Sequence, residues 1–248
     1  MWGTAPRQPW PSHLRSERAA RPRRLRWWGW LLVVLLVAGL ALGSLIAWRA
    51  WTAWTAPLPG VIVVEDEPPP VPGYERGCGA GQACVYGPAW SDDVSVRLGH
   101  NGCDTRNDML NQSLTNITHR PNTHDCVVLS GDFVDPYTVN RIHFEKSRAY
   151  QVQVDHVFAL AVAWNRGAAG WTPDQRRNFA NDPDNLVVTS AAANLSKGGR
   201  TPAAWLPEPT SGKCLLTSRF TAIAAKYQLP ITREELIAVN RVAPRCAD

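Results

Sequence analysis

Asp155 and His156 stand side by side at the end of Val152-Gln153-Val154, and an amide, Asn194, follows further along the chain. A carboxylate oxygen suits a hard cation such as Mg²⁺, and an imidazole can take a proton near neutral pH. Val152 to Val157 alternates apolar and polar residues, the pattern of a half-buried strand, on which neighbours point to opposite faces. Leu186 to Thr189 predicts a second, β-branched strand. A helix is predicted next, with Ser190 as its cap, alanines in its first turn and Gly198-Gly199 as its stop. A strand–strand–helix unit of this kind could bring Asp155 and Asn194 to one metal, with His156 beside it.

A longer series of short motifs surrounds these residues. They are Cys103 to Asp108, Asp135 to Thr138, Asp155 to Val157, Ala163-Trp164, Gly167-Ala168, Trp171, Arg177, Phe179 to Asp182, Asn185-Leu186, Asn194 to Gly198, Trp205 to Pro207 and Cys246. In this order and spacing the chain resembles the HNH endonucleases of the ββα-metal superfamily, and more closely their exported bacterial members, over roughly residues 100 to 246. The resemblance implies an α+β fold: a ββα-metal (HNH) core with additional helices and disulfides. It implies that His156 is the general base, that Asn185 locks a loop or orients His156, and that Asp155 and Asn194 hold one divalent ion, Mg²⁺ or Mn²⁺. It also suggests that Lys197 and Arg106 lie near substrate phosphate, although Arg106 can equally serve a structural ion pair with Asp108. The implied substrate is nucleic acid, DNA ahead of RNA, and no protein partner is implied. Where the family usually has Gly after Asp-Pro-Tyr-Thr, this chain has Val139, so that turn is expected to differ.

Other hydrolase chemistries lack their motifs. There is no Gly-x-Ser-x-Gly and no His-Glu-x-x-His. The competing reading is a non-catalytic exported module that keeps the fold and binds nucleic acid or an envelope polymer. Charge bears on this choice. The formal net charge is +5, but residues 1–26 hold seven Arg against Glu17. Without these and Arg49, residues 50–248 carry 18 basic and 20 acidic side chains, a net of −2. The basic character therefore belongs to the N-terminal tail, which is read as disordered and cytoplasmic.

Trp27 to Trp48 has no charged residue and is about as long as the ~20 residues that cross a bilayer. Tryptophans lie at both ends, and the Arg-rich flank precedes it. The reading is a single-pass anchor over 27–48 with its N-terminus in the cytoplasm; the alternative is a signal peptide and secretion after cleavage. Residues 49–77 are rich in Pro and acidic residues and read as an extended linker, with only a doubtful strand at Val61 to Val64. The extracytoplasmic domain is then 78–248. All six cysteines fall within it, which fits an oxidising compartment. Pairing within local units gives Cys78 with Cys84, Cys103 with Cys126 and Cys214 with Cys246. A zinc site has no Cys-x-x-Cys to support it. Helices are predicted over 103–115, 157–164, from Thr172-Pro173 to about Asn181, over 214–227, and from a Thr232/Glu235 capping box to about Val242. His100, His119, His124 and His143 are left outside the site, and Trp164 and Trp171 in the core.

Overall fold

The computed structural model describes Gly3 and residues 23–246. The chain divides into two compact units, Met1–Ala50 and Trp51–Asp248. Apart from Gly3 and the helical residues 23–26, the tail expected to be disordered lies outside the described residues. Helix α1 (Arg23–Trp54) is longer than the apolar run predicted it to be. Its stretch Trp27–Trp54 is long and apolar enough to cross a membrane, and its apolar side chains are exposed.

The larger unit contains, in order, β1 (Val63–Val64), α2 (Thr105–Ser113), β2 (Thr115–His119), β3 (Val128–Val134), β4 (Arg141–Glu145), β5 (Val152–His156), α3 (Leu160–Asn165), α4 (Pro173–Ala180), β6 (Leu186–Ser190), α5 (Ala191–Lys197), α6 (Thr210–Tyr227), β7 (Ile231–Thr232) and α7 (Arg233–Val242). It is α+β, as expected. Strands β2, β3 and β4 form an antiparallel meander, while β5 and β6 pair separately with Asp155 opposite Val187 and His156 opposite Leu186. Asp104 caps α2 by accepting from the Asn107 amide, Ser190 caps α5, and Thr172 and Thr232 both close capping boxes. These four caps are the ones their sequences favour.

Two apolar cores flank the β5–β6 pair. One side chain set, Val152, Val154, Leu186 and Val188, packs with Met109, Leu110, Phe133 and Phe144 from α2 and the meander. The other core gathers Phe158, Phe179, Phe220, Ile223 and Leu236, with the Phe158 and Phe220 rings stacked at 4.8 Å. Each fully buried side chain of this size stabilises the fold by about 2 kcal/mol before conformational entropy is subtracted. The three disulfides pair 78 with 84, 103 with 126 and 214 with 246.

Two expectations need correction. The supposed linker is packed from Leu58 onward. Strand β1 lies parallel to β7, and Leu58, Val61 and Val63 rest on the core. Glu65 pairs with Arg233, and Glu67 pairs with Arg166, whose side chain is buried and also meets Glu235 at 2.8 Å. An acidic, Pro-rich composition hid ion pairs with partners far away in sequence. Secondly, the helix expected at 157–164 begins only at Leu160. Phe158 gives both backbone groups to Asn185, so it cannot open a helical turn. In the turn after β3, Val139 takes φ 56°, a left-handed value that glycine tolerates best.

Candidate functional site

The β5–β6 hairpin and α5 build the strand–strand–helix unit that the sequence suggests. Gln153 and Asp155 share one face of β5, and Asn194 projects from α5 to meet Gln153, its Nδ2 donating to Gln153 Oε1 at 2.7 Å. Asp155 and Asn194 line the same cavity of about 370 Å³, together with His156, Tyr74, Arg76, Gly198 and Gly199. His156 lies at its junction with a second cavity of about 260 Å³, lined also by Arg76, Tyr86, Trp90, Leu160 and Asn181. Although the imidazole is only 7% exposed, both cavities reach it.

The tautomer of His156 follows from its partner. Nε2 lies 2.8 Å from the Ala180 carbonyl, which can only accept, so Nε2 carries the hydrogen and Nδ1 keeps its lone pair. Trp90 stacks on the ring at 6.0 Å between centroids. Burial pushes the imidazole down to about 3, the charges of Arg76 and Lys197 push the same way, and the bond to Ala180 opposes them. The ring is therefore neutral throughout the physiological range.

Asp155 is buried, and that burial pushes its carboxyl above the usual range. Two donors work against the shift. Lys197 Nζ meets Oδ1 at 3.0 Å, and Tyr137 OH meets Oδ2 at 2.9 Å. The Tyr137 ring packs edge-on against Trp205 at 5.4 Å, and Trp205 Nε1 donates to Ser196 Oγ on α5. The Tyr137 backbone is set by the turn after β3. There Asp135, fully buried, accepts from the Tyr137 amide at 2.9 Å, from Thr189 Oγ1 at 2.8 Å and from the Ser190 amide at 3.0 Å. Helix α6 presses on this turn at Gly212, where a Cβ would sit 2.6 Å from the Pro136 carbonyl. Asp135 thus ties the turn to the end of β6 and aims Tyr137 at Asp155.

The remaining candidates sit as follows. Asn185 is fully buried and acts on the chain rather than on the ring of His156. Its Oδ1 accepts from the Phe158 amide at 2.8 Å, and its own carbonyl accepts from the Val157 amide. That fixes the strand end that carries Asp155 and His156. Lys197, expected near substrate phosphate, has its ammonium buried between Asp155 and the His156 carbonyl at 2.8 Å. Arg106, given the same expectation, donates to the carbonyls of Ala149 and Val152 and so clasps the entry to β5. Asp182 is buried and bonded to Tyr227 OH at 2.7 Å and to Lys226. His100, His119, His124 and His143 stay outside; His143, for one, pairs with Asp132 on the meander.

Sequence reasoning missed Tyr137, Gln153, Trp90 and Arg76. Tyr137 was visible within a quoted motif but read only as a turn residue. Gln153 was two residues from Asp155, hence on the same face. Trp90 and Arg76 come from outside the motif series and gave no signal.

For a metal, the hard-oxygen donors on the cavity wall are the Asp155 carboxylate and the Asn194 amide oxygen. Among the described residues, no three His, Cys, Asp or Glu side chains cluster into a metal site. Two protein oxygens beside an open cavity still fit an ion such as Mg²⁺, which keeps several waters and takes substrate phosphate as ligand. Lys197 already offsets part of the Asp155 charge, so the ion's affinity would depend on that phosphate.

The chain is 32% identical over 146 residues to a protein of Arthroderma benhamiae named only as an uncharacterized secreted protein, a stretch covering 58% of this chain and 68% of that one. No solved structure matches the chain significantly. The profile of the GmrSD restriction endonucleases, C-terminal domain, matches residues 104–236, which take in Asp135, Asp155, His156, Asn185 and Asn194 and point to a nuclease-like function. Since the match spans more than half of the chain, this protein belongs to the GmrSD restriction endonuclease C-terminal domain family.

Proposed function

We propose that the protein is an HNH-type endonuclease that hydrolyses phosphodiester bonds of nucleic acid, DNA ahead of RNA, with His156 as general base. The observation that carries this reading is the orientation of His156. Its Nε2–H is tied to the Ala180 carbonyl, which leaves Nδ1 unprotonated at the meeting of two cavities, one of them shared with Asp155 and Asn194. A neutral imidazole with a free lone pair can accept a proton from water attacking phosphorus. Its low basicity in the bare site rises when a polyanionic strand approaches, because negative charge favours the imidazolium.

A divalent ion, Mg²⁺ or Mn²⁺, held by Asp155 and Asn194 would relieve charge at the scissile phosphate and the leaving oxygen. Asn185 fixes the loop after β5 and so positions both Asp155 and His156. Lys197 and Tyr137 orient the Asp155 carboxylate. Helix α1 is proposed as a single-pass anchor, N-terminus in the cytoplasm, holding the domain outside the membrane; the disulfides and the secreted relative support an extracytoplasmic site.

The test is nicking of supercoiled plasmid by the full chain in mild detergent, with Mg²⁺, Mn²⁺ or EDTA. His156→Ala should lower the rate at least about a hundredfold, the usual contribution of a positioned general base, while circular dichroism stays unchanged. Equal cleavage by both proteins, or none by either with metal added, rejects the hydrolase and leaves a binding module.

A further inference from the structure

Arg76 precedes the segment covered by the family profile, yet it lines both cavities that meet at His156. It is exposed, and among the described residues its guanidinium makes no hydrogen bond or ion pair, whereas other arginines of the same unit are engaged: Arg166 by two glutamates, Arg177 by Asp93 and Asp174, and Arg176 by the Val85 carbonyl. Its neighbour Glu75 is engaged elsewhere, accepting from the Ala83 amide at 2.9 Å.

The backbone around Arg76 is firmly held. Cys78 and Cys84 close a short loop beside it. The Val85 amide bonds to the Glu75 carbonyl and the Cys84 amide to the Gly77 carbonyl, both at 3.0 Å. Tyr74 packs edge-on against Tyr86 and Trp164. Asn181 also lines the smaller cavity, and its Oδ1 is buried without a hydrogen-bond partner. An uncommitted cation on the wall of two cavities suits an anionic ligand, as a nucleotide is.

We propose that Arg76 is a substrate-binding residue: its guanidinium takes a phosphate of the strand whose scissile bond lies at His156, and the stapled loop holds it over the two cavities. This rests on the hydrolase reading above. Guanidinium is suited to the task because its planar donors match phosphate oxygens two at a time. In a unit whose net charge is slightly negative, one placed cation matters more than a diffuse field.

The experiment compares the full chain with Arg76→Ala, Arg76→Lys and Arg120→Ala, the last an exposed arginine that lines neither cavity. Cleavage kinetics are read with metal, and binding of a short fluorescein-labelled DNA is read by anisotropy in EDTA across a salt series. Arg76→Ala should raise KM roughly ten- to a hundredfold, the range for losing a charged hydrogen bond. It should also flatten the salt slope by about one phosphate contact, ~0.7–0.9 in log–log terms. Melting temperature should not move, Arg76→Lys should recover part of the binding, and Arg120→Ala should resemble the parent protein. If Arg76→Ala binds and cleaves as the parent does, the Arg76 proposal is wrong and the hydrolase stands. Loss of activity only alongside a lower melting temperature also overturns it. If the parent neither binds nor cleaves, both readings fall.

Discussion

Asp135 and Asp155 are both buried aspartates, they touch the same tyrosine, and they are held in opposite ways. Asp135 receives two backbone amides and a hydroxyl. Burial pushes its carboxyl up, but these bonds outweigh it and the group ends below its ordinary value. Asp155 receives one ammonium and one phenol, and burial wins, so it ends above. Three neutral dipoles complete the first carboxylate. The second has one cationic and one phenolic donor, and burial outweighs them. The two aspartates thus differ in the donors that meet their lone pairs and in how strongly burial opposes those donors.

The largest effect should come from breaking the pair at Asp155. Lys197→Met leaves a buried carboxylate without its cation and should destabilise the fold by about 3–5 kcal/mol in denaturant titration. Asp155→Asn/Lys197→Met, which removes both charges, should recover most of that loss and yet remain inactive. If the double variant is no more stable than Lys197→Met alone, the pair is not the coupled unit described. Next in size is Asp135→Asn, expected to cost about 1–3 kcal/mol because an amide cannot accept from all three donors. Its signature is in acid. A carboxyl with a depressed folded value contributes stability that is complete above its unfolded value, about 3.9, and is lost as pH falls through the folded one. The parent should therefore weaken below about pH 4, and the slope there should be shallower in Asp135→Asn. The smallest effect belongs to the turn between these residues. Val139→Gly relieves a left-handed valine and should gain about 1 kcal/mol, after the greater freedom of unfolded glycine is subtracted. A lower melting temperature for that variant would mean the valine contributes packing that its exposure hides.

Much of the floor of the site was legible in sequence. Alternation, β-branching and a capped alanine run specify β5, β6 and α5, and all three form within a residue or two of their expected places. Local cysteine pairing also proved sufficient. What stayed hidden was non-local. Lys197 looks like a solvated helix-end lysine until a hairpin delivers Asp155 beneath it. Arg106 looks free until the carbonyls of Ala149 and Val152 are brought to it. The strap from Leu58 to Trp90, with Arg76 and the His156-stacking Trp90, has no periodicity because its partners lie on β7, α3 and α4. Composition reports how a segment interacts with water, and most of this one stays exposed while a few of its residues make the contacts with the rest of the protein.

The six cysteines pair in consecutive couples along the chain, so the bonds never interleave. For a domain that emerges behind its anchor into an oxidising space in N-to-C order, each bond can close as its second thiol arrives and before the following thiol emerges. Wrong partners are then absent during delivery, and maturation should need an oxidant far more than an isomerase.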